Sequence, residues 1–138
     1  MKKKSKVMVL SCIDPRFQPL VFNFLKKKKL FGNFSAFTIA GGSIGVTHSK
    51  FKKWHSVFID NLSTSIKLHK IQELIVINHI DCGAAKIVNG KKKFNSQIET
   101  KIHKSSFLKI KKIIKKKFPY LKIDLNLMSL KSKIKKFK

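Results

Sequence analysis

The stretch E73-L-I-V-I-N-H-I-D-C-G83 decides the reading of this chain. Its first half is the clearest strand in the protein, rich in Leu, Ile and Val, and it runs straight into a histidine, an aspartate, a cysteine and a glycine. Working back toward the N-terminus, Lys6 to Ser11 reads as a short buried strand followed by C12-I-D-P-R16. Pro15 suits the first turn of a helix, where its missing N–H costs nothing. Phe17 to Lys29 then runs apolar at helical spacing and ends near Gly32. Phe34 to Gly42 is a further strand ending in paired glycines. Ser49 to His69 is amphipathic, with Phe51, Trp54, Phe58, Leu62 and Ile66 on one face. Beyond Gly83, a basic loop at Asn89 to Lys93 precedes a long helix around Gln97 to Lys117, a strand at Leu121 to Leu130, and a basic tail from Lys131.

Strand, helix, strand, helix, strand, helix, strand implies right-handed crossovers. The expected fold is a three-layer α/β domain spanning 1–138, with a mostly parallel sheet and helices on both faces. Chemistry in such sheets gathers at the carboxyl ends of strands, near a switch in strand order. C12-I-D-P-R16, A40-G-G42 and N78-H-I-D-C-G83 all fall at such ends.

The chain carries a formal charge of +26, from 32 Lys+Arg against 6 Asp+Glu. Charge of this size suggests nucleic acid or an anionic surface. Nearly all of it is lysine, accompanied by 12 Phe and few Gly and Pro, a pattern of compositional drift on a tolerant surface. A dedicated nucleic-acid reader would favour the bidentate fork of arginine, so no specific nucleic-acid partner is expected. The apolar run after the basic start, Val7 to Leu10, is short of the ~7–15 residues of a signal core. No stretch approaches the ~18 apolar residues of a membrane span, so a cytoplasmic protein without a membrane partner is expected.

His79 and Cys82 share one strand-to-helix turn, and Cys12 leaves another strand at the same edge. One imidazole and two thiolates suit Zn2+, with Zn–S of ~2.3 Å and Zn–N of ~2.0–2.1 Å. Three protein ligands with an exchangeable fourth position is the catalytic pattern, whereas a closed structural site needs a fourth protein ligand. His48, His55, His69 and His103 receive no role.

Cys-x-Asp-x-Arg followed by His-x-x-Cys-Gly resembles the zinc-site signature of the β-class carbonic anhydrases. Here it reads Cys12-Ile13-Asp14-Pro15-Arg16 and His79-Ile80-Asp81-Cys82-Gly83. Ala40 to Gly42 is similar to that family's turn after its second strand, and the Asp-Pro-Arg form looks like a short bacterial branch of it. The resemblance implies zinc held by Cys12, His79 and Cys82, and reversible hydration of CO2 to bicarbonate by a zinc-bound hydroxide. It implies a dyad in which Asp14, paired with Arg16, accepts a hydrogen bond from the zinc-bound water or swings onto the metal. Gly41, Gly42 and Gly83 would supply backbone to the substrate pocket.

Arg16 is the single arginine, and the dyad explains it: a guanidinium holds both carboxylate oxygens at every working pH, which a lysine cannot do. The resemblance also implies a homodimer or a multiple of dimers, an expectation strengthened by helix faces carrying Phe22, Phe24, Phe51, Trp54 and Phe58. The chain departs from the family in Pro15, in reaching Cys12 without a long N-terminal arm, and in ending soon after its fourth expected strand. Alternative readings are a non-catalytic or nucleic-acid-binding zinc relative, and a zinc hydrolase of a CO2-like molecule such as carbon disulfide.

Overall fold

The computed structural model describes residues 6–138; the basic start lies largely outside them, while the apolar run Val7 to Leu10, read above as too short for a signal core, is a buried strand. Among the described residues five strands form one sheet in the order β2-β1-β3-β4-β5. They are β1 (Val7–Ser11), β2 (Phe34–Thr38), β3 (Glu73–His79), β4 (Lys122–Met128) and β5 (Ile134–Phe137). The first four are parallel, and β5 joins β4 antiparallel. The helices are α1 (Gln18–Lys27), α2 (Ser43–Thr47), α3 (His55–His69), α4 (Gly83–Asn89) and α5 (Ser96–Lys117).

The central strands bury both faces, which is why they read as unbroken apolar runs. Met8 and Leu10 of β1, with Leu74 and Val76 of β3, pack under Phe58 and Leu62 of α3 and Phe107, Ile110 and Ile114 of α5. Their neighbours Val7, Val9, Ile75 and Ile77 face the other way, onto Val21 and Leu25 of α1. The layers are therefore helix, sheet, helix, as the element order requires.

Three expectations are corrected. The segment from Lys131 is not a free tail: Ile134–Phe137 pairs with β4, and the Phe137 ring lies 5.1 Å from that of Phe107. Backbone pairing is indifferent to lysine side chains that point outward, and Lys136 Nζ reaches Asp124 at 3.1 Å. The Ser49 to His69 segment is two pieces, a 3-10 stretch Ser49–Trp54 broken at Phe51 (φ −116°, ψ 32°) and then α3. Phe58 is core at 1% exposure and contributes nothing to an outer apolar face, whereas Phe22 is 51% exposed.

β1 leads to β2 on one side, and the chain then returns to place β3 on the other side of β1. The carboxyl ends of β1 and β3 thus flank the point where strand order reverses, the crevice that open α/β sheets use for ligands.

Candidate metal centre and its surroundings

β1 delivers Cys12, β3 ends on His79, and Cys82 stands at the N-terminal end of α4. All three are buried, and their ligand atoms lie within 4.8 Å of one another. His79 Nδ1 is 2.8 Å from the carbonyl oxygen of Ile80. A carbonyl only accepts, so Nδ1 carries the proton and Nε2 presents its lone pair. The His79 ring is clamped against Phe17, with centroids 3.9 Å apart. Among the described residues its Nε2 is buried without a hydrogen-bond partner. A buried polar atom is rarely left so unless something else binds there. A fixed imidazole lone pair converging with two sulfurs is a donor set that could hold a metal ion.

The sulfurs differ. The neighbouring Cys82 thiol pulls the pKa of Cys12 well below the ordinary thiol range, aided by backbone N–H groups that include Gly41, whose nitrogen is 3.2 Å from Sγ. Cys82, donating toward Cys12 and buried, is pushed upward.

Beside these donors, Asp14 is fixed by the only arginine. Arg16 donates from Nη2 to Asp14 Oδ2 at 2.7 Å, from Nε to Oδ1 at 3.1 Å, and from its backbone nitrogen to Oδ1 at 2.9 Å. This grip lowers the Asp14 pKa to about 2. Asp14 Oδ2 lies 3.8 Å from His79 Nε2, so the carboxylate borders the centre while remaining bound to Arg16.

Gly41 and Gly83 line an open cavity of about 570 Å³ over this edge, walled mainly by Ile13, Pro15, Phe51, Trp54 and Ile87. Phe51 and Trp54 stack in parallel, 4.7 Å apart. Gly42 is placed differently, as the residue before α2, where an added Cβ would come 2.7 Å from Asn78 Oδ1.

Residues that sequence reading passed over also support the site. Gln18 donates to the carbonyls of Cys12 (2.9 Å) and Asp14 (3.0 Å), pinning the loop after β1. Arg16 reaches Asp81, and Glu99 of α5 accepts from the backbone nitrogens of Asp81 and Cys82. His103, left without a role above, is fully buried against Glu99. The sequence marks two of them as unusual without showing what they do: Asp81 and Glu99, with Asp14, are half of the 6 acidic residues in a strongly basic chain.

Residues 2–119 match the family model described as "Putative carbonic anhydrase". The chain belongs to that family. An uncharacterised protein of Rickettsia conorii is 30% identical over 128 residues, covering 92% of this chain and 69% of the relative. One from Rickettsia bellii is 29% identical over 128 residues, covering 92% and 78%. Among solved structures, the β-carbonic anhydrase CcaA superposes with a TM-score of 0.68 at 12% identity, over 99% of this chain and 81% of that one. A carbonic anhydrase from Glaciozyma antarctica gives 0.61 at 19% identity, over 94% and 80%. A structure described among two tetrameric β-carbonic anhydrases of Sordaria macrospora gives 0.61 at 10%, over 99% and 82%. The fold is that of the β-carbonic anhydrases.

Proposed function

We propose that this protein is a zinc-dependent carbonic anhydrase, interconverting CO2 and bicarbonate. The observation that carries the proposal is the lone pair of His79 Nε2, without a hydrogen-bond partner among the described residues, buried beside two cysteine sulfurs and bordered by an arginine-held carboxylate. Cys12, His79 and Cys82 would hold the metal. Bound there, zinc supplies Lewis acidity that makes water a nucleophile near neutral pH, tempered by the charge of its thiolate ligands.

The chain's own residues supply the rest. Asp14, ionised and turned toward Arg16, offers a fixed acceptor for an O–H group at the centre and thereby orients a water for attack. Arg16 keeps that acceptor from rotating onto the metal donors. The apolar cavity wall of Ile13, Phe51, Trp54 and Ile87 suits an uncharged, nonpolar substrate such as CO2, with Asp14 and Arg16 at its polar side.

We also propose a homodimer or a multiple of dimers. Ile13 and Ile87, at the cavity, are 58% and 57% exposed, and a second copy would cover such groups. Among the described residues no helix is long and apolar enough to cross a membrane. A cytoplasmic location is proposed because Cys12 and Cys82 are free thiols facing one site, which suits a reducing compartment. The lysine excess serves no specific nucleic acid in this reading.

The test is zinc stoichiometry and a stopped-flow CO2-hydration assay on wild type and Asp14→Asn. One zinc per chain with activity largely lost in the variant supports the proposal. Zinc-loaded wild type that is inactive on CO2 but cleaves carbon disulfide would reassign the substrate. A chain that binds no zinc would remove the proposal altogether.

A further inference from the structure

The turn that presents Cys82 is held from inside the protein by a buried acid. Asp81, one residue before the cysteine, has φ 62°, in the left-handed region that a non-glycine residue rarely adopts. That conformation aims two consecutive N–H groups the same way. Glu99 receives both: Asp81 N donates to Oε1 at 3.0 Å, and Cys82 N to Oε2 at 2.9 Å. Glu99 is only 3% exposed, and a carboxylate is costly to bury unless every oxygen is engaged.

The orientation of Glu99 is itself fixed. His103, one helical turn along α5, sets its Nε2 3.1 Å from Glu99 Oε2. Its Nδ1 is 2.9 Å from the Asn78 side-chain nitrogen, which can only donate, so Nδ1 accepts and Nε2–H donates to Glu99. Asn78 in turn accepts at Oδ1 from the backbone and hydroxyl of Ser43, each at 3.0 Å. An unbroken chain of bonds therefore runs from the start of α2, through β3 and α5, to the backbone at Cys82.

We propose that Glu99, oriented by His103, is a positioning residue for the metal ligand Cys82. It fixes the backbone turn on which the sulfur is presented, and it does so without touching the metal or the substrate. The inference rests on reading the Cys12–His79–Cys82 group as a metal centre. A glutamate is required because two adjacent N–H groups need two acceptor oxygens. A glutamine would turn its NH2 toward one of them.

The experiment is zinc affinity, by competition with a chromophoric chelator, for wild type, Glu99→Gln and His103→Gln, together with the visible spectrum of the cobalt-substituted proteins. Unfolding of the metal-free forms is followed in parallel. Glu99→Gln is expected to weaken zinc about 10–100-fold and to shift the cobalt bands, with His103→Gln smaller in both. A purely structural Glu99 would instead lower metal-free stability while leaving the folded protein's zinc affinity and cobalt spectrum as in wild type, and that result overturns the proposal.

Should Glu99→Gln fail to fold, amide hydrogen exchange on metal-free wild type decides: Asp81 and Cys82 amides are expected to be protected, and free exchange at both overturns the grip. If wild type itself takes up no zinc, the metal centre has failed and positioning for a metal fails with it. Protected amides in that case would separate an existing grip from the absent metal.

Discussion

Arg16 donates from Nη1 to Oδ2 of Asp81 at 2.9 Å, across 65 residues of chain. The same guanidinium holds Asp14 and also the Asp81 carbonyl, at 3.1 Å from Nη2. One side chain thus ties the loop after β1, carrying Cys12, to the loop after β3, carrying Cys82. Glu99 holds that second loop from its buried side, so the turn is gripped between an arginine and a glutamate.

The two carboxylates on Arg16 should be unequal in consequence. Arg16→Lys keeps the charge but loses the fork, and a misplaced Asp14 should cost about 100-fold in CO2-hydration rate while zinc content stays at wild type. The Asp81 side chain is 65% exposed and its pair with Arg16 is screened by water, so Asp81→Asn should lower the rate by less than about 5-fold and leave zinc content unchanged. Rate and zinc assays on both variants check this; equal losses of activity would contradict it.

Gly41 has φ 80°, and an added Cβ would come 2.7 Å from Ala84 Cβ. Gly41→Ala should therefore cost about 2–4 kcal/mol, from left-handed strain plus overpacking, and displace the N–H that faces Cys12. Gly32→Ala is the control: it shares φ 80° but meets nothing within 4 Å among the described residues, so only the backbone cost of about 1–2 kcal/mol applies. Urea unfolding of the two variants measures the difference.

Burial raises the pKa of Glu73, at the start of β3, and the like charge of Asp124 adds to it despite nearby Lys28. A carboxyl with a raised folded-state pKa favours folding fully below its unfolded value of about 4.3 and loses that contribution as pH rises through the folded value. Glu73→Gln should therefore be more stable than wild type at pH 7, with the difference vanishing below about pH 4. Melting temperatures across that range give the sign directly.

Deleting residues 131–138 removes β5 and the Phe137 ring packed on Phe107. The loss should reach about 2 kcal/mol or more and expose the β4 edge to association. A truncated chain with an unchanged unfolding midpoint would restore the reading of this segment as a tail.

The strands of the core were legible because Val7 to Leu10 and Leu74 to Ile77 bury both faces, leaving apolar runs that no exposed segment would carry. Cys12, His79 and Cys82 could be grouped because strand ends converge in this topology. β5 was hidden: its exposed Lys135 and Lys136 carry no trace of a strand whose pairing is backbone to backbone. Glu99 and His103 were hidden for another reason. They occupy the same buried stripe of α5 as Phe107, Ile110 and Ile114, and only the bonds across to the loop after β3 show what they do.

The placement of Cys12 on β1 and of His79 and Cys82 around the end of β3 also sets an order of events in folding. His79 and Cys82 are near neighbours in the chain, but Cys12 joins them only once β1 lies alongside β3. That pairing is a long-range closure, slow to form because its loop entropy is spent before its contacts are made. Complete capture of a metal at the proposed centre would then be a late step, one that selects the chain with its parallel strands in register. It leaves misregistered or half-folded chains without the stabilisation that a ligand confers on the native state.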